Sequence, residues 1–516
     1  MNDEKIGMCG IFALIRPSLF VKTAMDAFDN GKHRGPDESI FYTLKNVWLG
    51  FHRLSINGLT NGSQPFEKNG IYLICNGEIY NHRELYAIMK RTPTTQSDCE
   101  VILDLYEMYG MEQTLHMIDA SEFAFLLYDS KNDLFYSARD PYGVRPLYHA
   151  TCGDMICVAS EIKMFPPCFK TIDPVLPGTT VCYSTDETIW YTSMPSIQPS
   201  LTSPHARIRD TLYDCVKKRV MNTEKPMACL LSGGLDSSLI ATLVNQARKE
   251  LYMEPLETYS IGLEGGEDLK YAQIMADFLG SKHTTIVVEE KDFLNAIPEV
   301  VRMIESRDTT TVRASVGNYL VAKYIREHSE AKVVFNGDGA DEVCGGYLYL
   351  KRAPNAIEFD KECRRLVQDI HYFDALRSDR CISGNGLEAR TPFLDRAFVE
   401  LYLSIPVELR FTQCEKQLLR EAFENRMPKE ILWRKKEAFS DGVSAMHRSW
   451  FTIIQESIPE VVQMEYKDTS ITMEQFYYQW LYKQAYEVDV LPYYWMPKYS
   501  ATKDCSARTL ENYNYE

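Results

Sequence analysis

"MACLLSGGLDSSLIATLVNQARKE", Met227 to Glu250, passes from a short apolar run through a glycine loop into a helical pattern. The run is too short for a helix and the last twelve residues repeat their apolar positions at helical spacing, so the stretch reads as strand, loop, helix. Backbone N–H groups and hydroxyls of "SGGLDSS" then converge at a helix start, where the helix dipole favours an anion. Gly233 and Gly234 let the backbone come close. The pattern is neither a Gly-Lys-Ser/Thr phosphate loop nor the GxGxxG of dinucleotide folds. A serine-capped helix start after a glycine turn is the bland alternative.

The same grammar extends to both sides. Upstream, "ARIRDTLYDCVKKRV" spaces Ile208, Leu212, Val216 and Val220 four apart, an amphipathic helix. Downstream come strand "LETYSIGL", helix "LKYAQIMADFLG" ending at Gly280, strand "HTTIVV", two helical stretches and strand "KVVFN". Such alternation predicts an α/β domain with a parallel sheet, whose ligands sit beyond the carboxyl ends of its strands. A second glycine loop, "FNGDGADEVCGGY" (Phe335–Tyr347), falls at such an end, as the first does, and clusters Asp338, Asp341 and Glu342. Magnesium takes a few carboxylates plus phosphate oxygens, so Asp236 and Asp341 are the expected ligands of a Mg2+ pyrophosphate held between the loops. Taken alone, the second loop also reads as a solvated acidic turn.

"SMPSIQPSLTSPHA" (Ser193–Ala206) is rich in Pro and Ser without periodicity, a linker that divides the chain into domains over 9–192 and 207–516. The first half is strand-rich, with runs such as "CGIFALI", "IYLIC" and "FAFLLYD". One helix is marked at "SDCEVILDLYEMYG", where Ser97 and Glu100 have capping-box spacing and Val101, Leu105 and Met108 form a stripe. Two domains suit a chain of 516 residues. A net charge of −16 without a long basic run argues against nucleic acid. No apolar stretch reaches about 18 residues and no signal peptide opens the chain, so no membrane partner is expected and the location is read as cytoplasmic. The 14 cysteines show no CxxC pair. Even Cys152, Cys157 and Cys168 near His149 read as reduced thiols rather than metal ligands.

Cys9 poses a separate question, because a cysteine that began the chain could use its own α-amine as base, whereas a backbone amide has no such basicity. The working chain is therefore expected to start at Cys9. "NGEIYN" sets Asn76 beside Gly77, a side-chain amide and a backbone N–H able to form an oxyanion hole; an Asn-Gly hairpin turn is the alternative. Arg53 suits a substrate carboxylate and Asp98 an α-ammonium group, although singly each reads as a surface ion pair. Lys436 and Arg313 alone read as surface cations.

"MCGIF", "HRGPD", "FHRLSI", "NGEIYN", "SDCEVIL" and "ARDPYGVRPLY" resemble the class II, N-terminal nucleophile glutamine amidotransferases. "LLSGGLDSS" itself resembles the pyrophosphate loop of the ATP pyrophosphatases, and with "TTVRAS", "GDGADE", "GLEARTPFLD", "WRKKEAFSDG" and "YYWMPK" it looks like the synthetase half of the glutamine-hydrolysing asparagine synthetase family. The resemblance covers nearly the whole chain. It implies an αββα amidase followed by an α/β ATP pyrophosphatase-like domain, with ATP, Mg2+, aspartate and glutamine as small-molecule partners, and it allows a homodimer. By the same resemblance Cys9 is the nucleophile, Asn76 and Gly77 form the oxyanion hole, and Arg53, Glu78 and Asp98 hold glutamine. Leu230, Ser232, Gly233, Asp236, Ser237, Ile261, Asn336 and Gly337 fall on nucleotide-binding positions. Arg313, Asp341, Tyr347 and Lys436 fall on the synthetase site. Asp338 stands where the family usually has a glutamate thought to accept a proton from ammonia, and Arg307 where it often has tyrosine. An impaired homologue that only binds nucleotide or amino acid, and an amide former of the β-lactam synthetase type, are the alternatives.

Overall fold

The computed structural model describes residues 9–494, 497–502, 504–510 and 513. The eight residues before Cys9, and Trp495 and Met496 of the "YYWMPK" motif, lie outside them.

Among the described residues the first half contains strands β1 (Gly10–Ile15), β2 (Glu38–Thr43), β3 (Val47–Arg53), β4 (Phe66–Lys68), β5 (Ile71–Gly77), β6 (Phe123–Asp129), β7 (Leu134–Arg139), β8 (Tyr148–Cys152), β9 (Met155–Ala159), β10 (Ile172–Pro174), β11 (Thr179–Cys182) and β12 (Glu187–Trp190). They form two antiparallel sheets, ordered β10-β8-β9-β1-β3-β2 and β12-β11-β7-β6-β5-β4. Helix α1 (Val21–Asp29) covers the first sheet, and α2 (His82–Met89) and α3 (Val101–Met117) cover the second. The alternation along β1 explains why its sequence is apolar throughout. Ile11, Ala13 and Ile15 face Ile74 and Leu126 of the other sheet, while Phe12 and Leu14 pack with Ala24 and Phe28 of α1. A strand covered on both faces has no polar side. This is the αββα sandwich expected.

The capping box expected at Ser97 is absent. The Ser97 side chain makes no cap, and the Glu100 carboxylate accepts instead from the backbone N–H groups of Thr94 and Thr95. Val101 and Leu105 are buried, but Met108 is exposed, and α3 is broken two residues later at Gly110, whose φ of 77° is left-handed.

After an irregular stretch, α4 (His205–Met221) buries Ile208, Leu212, Val216 and Val220 as the spacing requires. The second half alternates β13 (Met227–Leu230), α5 (Leu235–Glu250), β14 (Glu257–Leu263), α6 (Glu267–Leu279), β15 (Lys282–Val288), α7 (Glu290–Ile304), α8 (Thr309–His328), β16 (Val333–Phe335) and α9 (Ala340–Cys344). With β17 (Glu388–Arg390) these strands form a parallel sheet ordered β15-β14-β13-β16-β17. Helices α10 (Ala356–Asp369) and α11 (Asp374–Ser383) lie between β16 and β17 in the chain, and α11 packs on α8 and β17. Both glycine loops leave adjacent strands, β13 and β16, at their carboxyl ends.

The two halves meet across buried charge. Arg34 pairs with Asp379 at 2.8 Å, Arg380 with Glu161 at 2.7 Å, Arg219 with Glu122 at 3.2 Å and Arg390 with Glu78 at 3.4 Å. The fourteen cysteines are free thiols, nine of them buried, and no helix among the described residues is long and apolar enough to cross a membrane.

Candidate active sites

The second-half cavity opens where the two glycine loops touch. A Cβ on Gly337 would lie 2.8 Å from the Cβ of Asp236 and 2.9 Å from the backbone N of Ser237, so only glycine lets the loops approach this closely. Gly233 serves a different contact from the one the sequence suggests. At φ 70° it packs against α6, where a Cβ would lie 2.3 Å from the carbonyl carbon of Tyr271; it seats the loop on its neighbouring helix and does not line the cavity. Leu230, Ser232, Gly234, Asp236, Ser237, Ile261, Asn336, Gly337, Asp338, Asp341, Tyr347 and Lys436 all line it. Within the first loop, the hydroxyls of Ser232 and Ser237 lie 3.0 Å apart, and the N–H of Gly234 donates to the Ser232 hydroxyl at 3.3 Å.

Two lysines bridge the two loop carboxylates. The Nζ of Lys416 lies 2.6 Å from Asp236 and also contacts Asp341, while Lys436 lies 2.5 Å from Asp341 and 3.8 Å from Asp236. Burial alone would raise the Asp341 carboxyl, but Lys416 and Lys436 hold it well below the usual carboxylate range. Burial likewise opposes the Lys436 charge, and Asp341 and Asp236 outweigh it, so its pKa is raised. Asp236 and Asp341 thus converge on one cation-sized point, which fits a Mg2+ ion that takes its remaining ligands from phosphate and water. Among the described residues no cluster of three or more His, Cys, Asp or Glu side chains offers an all-protein metal cage.

Deeper in the cavity, Asp338 accepts from Arg377 at 2.8 Å, and Arg377 also reaches Asp374 at 3.2 Å. Burial raises the Asp338 pKa against the pull of Arg377. The Tyr347 hydroxyl donates to Glu342 at 2.6 Å, and Glu342 is raised well above the ordinary value by burial beside Asp374 and Asp341.

The first-half site assembles around Cys9, which immediately precedes β1. Its Sγ receives the Leu54 N–H at 3.4 Å, and its carbonyl oxygen accepts from Arg34 Nε at 3.1 Å. Burial pushes the thiol up to about 12, with Arg53 lowering it and Glu388 and Glu78 raising it. Asn76 and Gly77 are not a hairpin turn; they end β5, paired with Ala124 and Phe123. The Asn76 Nδ2 is buried without a hydrogen-bond partner among the described residues, a donor held ready, as an oxyanion hole needs. The Arg53 guanidinium is steadied by the carbonyl of Gly58 at 2.5 Å. Asp98 accepts the Ile79 N–H at 2.6 Å, and its pKa is raised by burial. Glu78 accepts from Asn57 at 2.8 Å and from Asn222 of the second half at 2.5 Å, and its pKa is raised by burial and by Asp98.

The family model for asparagine synthase matches residues 207–361 and 351–480, and that for a glutamine amidotransferase domain matches 8–178. The glutamine-hydrolysing asparagine synthetases of Homo sapiens and Bos taurus are each 38% identical to this chain, over 98% of it and 99% of theirs. The chain belongs to the asparagine synthetase family. The corresponding synthetase of Gallus gallus is 37% identical over the same shares.

One further expectation for the synthetase half is corrected. Arg313 does not line the cavity: its guanidinium is buried, held by Glu474 at 2.5 Å and by Asp504 of the C-terminal segment at 2.7 Å. Arg307, where the family often has tyrosine, forms an ion pair with Asp489. Residues that sequence reasoning missed include Lys416 and Arg377. Lys416 stands in an unremarkable "CEKQLL", and only a left-handed backbone at φ 53° and the approach of its segment to both loops aim it at the carboxylates. Glu388 and Arg390 sit in the quoted "GLEARTPFLD", whose role emerges only at the domain contact, where Arg390 reaches Glu78.

Proposed function

We propose that this chain makes asparagine from aspartate, ATP and ammonia drawn from glutamine. The observation that carries the reading is that one chain, matched end to end by glutamine-hydrolysing asparagine synthetases, holds both a half-buried thiol in an amidase sandwich and paired carboxylates at a two-loop cavity.

In the synthetase half, the aspartate side-chain carboxylate attacks the α-phosphorus of ATP, pyrophosphate leaves, and β-aspartyl-AMP forms. A free carboxylate is a poor acceptor for ammonia, so this activation is required. The loop from Ser232 to Ser237, with Asn336 and Gly337, binds the nucleotide, and Lys436 neutralises charge that develops on the phosphates. Asp236 and Asp341 would hold a Mg2+ ion, which would supply positive charge to the pyrophosphate oxygens. Tyr347 and Asp338 face the acyl end, where Asp338 takes a proton from ammonia as it displaces AMP.

In the amidase half, the Cys9 sulfur attacks the glutamine amide, Asn76 and Gly77 stabilise the oxyanion, ammonia leaves, and water then releases glutamate from the thioester. Arg53, Glu78 and Asp98 hold the glutamine. A thiol pushed up to about 12 is protonated at neutral pH, so a base must remove its proton during attack. The α-amine of Cys9 fills that role once the eight preceding residues are removed. Cys9 also packs against an apolar cluster running from Leu54 and Ile56 into the second-half core, which supports a water-poor route for ammonia between the sites. The domain division at 193–206, a cytoplasmic location, a homodimer and the absence of nucleic-acid or membrane partners complete this reading.

Cys9→Ala is expected to lose glutamine-dependent synthesis and keep ammonium-dependent synthesis, with asparagine and AMP as products. The intact mass of the active wild type is expected to begin at Cys9. Glutamine use by Cys9→Ala, full activity with Met1 retained, or ADP as product would each overturn the part of the reading it addresses.

A further inference from the structure

One turn of α11 spans the distance between the two sites. Arg377 donates to Asp338 at 2.8 Å in the synthetase cavity, and the Ser378 hydroxyl accepts from Asn336 Nδ2 at 2.6 Å. The next residue, Asp379, faces the other domain. Its carboxylate receives both terminal nitrogens of Arg34, at 2.8 and 3.1 Å, one of which also donates to Glu161 at 2.7 Å and to Ser383 at 3.2 Å, and Arg34 Nε in turn donates to the Cys9 carbonyl at 3.1 Å; among the described residues Asp379 is the partner that takes both nitrogens. Arg380 closes the turn on Glu161 at 2.7 Å and on the Ser160 carbonyl at 3.2 Å, while the Ser160 hydroxyl accepts the Ile11 N–H of β1 at 3.0 Å. Arg34, Asp379 and Arg380 are almost wholly buried.

We propose that Asp379, a synthetase-half residue, is a positioning residue for the amidase: by clamping Arg34 it fixes the nucleophilic Cys9, and the turn Arg377–Arg380 couples the adenylating cavity to glutamine hydrolysis. The inference rests on Cys9 being the nucleophile. In such a residue the attacking sulfur, the basic amine and the carbonyl share one Cα, so holding the carbonyl oxygen fixes how the other two present themselves. A guanidinium gripped by a two-oxygen carboxylate has a set plane and a set distance; one gripped by a neutral amide does not. Small misplacements of a reacting group cost up to about a hundredfold in rate. Because Arg377 and Ser378 touch Asp338 and Asn336 on the same helical turn, ligands that shift those residues shift Asp379 as well, and by reciprocity of linkage the coupling runs both ways.

The test compares the full-length wild type, Asp379→Asn and Asp379→Glu in three assays: ammonium-dependent synthesis, glutaminase turnover with and without ATP plus aspartate, and the ratio of glutamate to asparagine formed from glutamine. Asp379→Asn is expected to keep ammonium-dependent synthesis within about twofold. It should lose about tenfold or more in glutaminase kcat with little change in KM for glutamine, since Arg53 and Asp98 are untouched. Its glutaminase turnover should no longer respond to ATP plus aspartate, its glutamate-to-asparagine ratio with both present should rise, and Asp379→Glu, which retains the charge, should recover part of each. Unchanged glutaminase and ratio in Asp379→Asn, or an equal fall in both activities of both variants, overturns the inference. Glutamine use that survives Cys9→Ala would instead overturn the assignment of the nucleophile, so the two failures are distinguishable.

Discussion

Asp338 has one carbon fewer than the glutamate its family usually carries, yet it sits 2.8 Å from Arg377 and faces the cavity. The direct bond means that the shorter carboxylate reaches Arg377 without a bridging water. Burial raises its pKa against the pull of Arg377, a direction that suits the base proposed for it. Asp338→Asn is therefore expected to cost on the order of 10² to 10⁴ in amide formation, with pyrophosphate release less affected. Asp338→Glu, about 1.5 Å longer, should also impair synthesis, because it must displace Arg377. Pyrophosphate and asparagine measured separately decide the matter, and undiminished asparagine synthesis by Asp338→Asn would reduce the residue to an acidic loop position. The departure itself was legible in the sequence; the Arg377 contact was not, because Arg377 lies 39 residues away on α11.

The two glycine loops act as a unit only because β13 and β16 are hydrogen-bonded neighbours in the parallel sheet. Gly337→Ala would drive a methyl group into Asp236 and Ser237 at under 3 Å, so one loop must retreat. Overpacking of this kind costs about 1 to 3 kcal/mol. The expected result is a lowered Tm and a raised KM for ATP, with glutaminase turnover retained; unchanged ATP use would mean that loop contact does not shape the site. The strand–loop–helix units were readable from periodicity and glycine punctuation. The capping box was not, because Glu100 had a stronger local claim from the N–H groups of Thr94 and Thr95. Sequence spacing tells which bonds are allowed, and geometry selects among them.

Across the molecule, the domain contact depends on ions that water never reaches. Glu122 is fully buried and accepts from Arg219 at 3.2 Å and from the Thr391 N–H at 2.9 Å. Burial opposes its charge, but Arg219 and Arg145 outweigh it and hold the carboxyl down at about 2. A depressed acid contributes stability that is complete above its unfolded pKa, about 4.3, and is lost as pH falls through its folded value. Glu122→Gln is thus expected to cost about 3 kcal/mol at pH 7. The gap in Tm between wild type and variant should narrow progressively from about pH 4.5 downward. A gap that stays constant to pH 3 would show that the charge of Glu122 contributes nothing to the contact.

The apolar runs, helical stripes and glycine loops specify a strand-rich first half and an α/β second half from the chain alone, because burial patterns and turn chemistry are local properties that each residue carries with it, whereas the αββα layering came from the family resemblance. The loop residues proposed to bind nucleotide were named by resemblance to the family. Lys416 between Asp236 and Asp341, the withdrawal of Arg313 to Glu474 and Asp504, and the Arg34–Asp379 clamp were decided only by the tertiary structure. Each joins residues 75 to 345 positions apart, and which charge meets which in a desolvated contact depends on how whole layers dock.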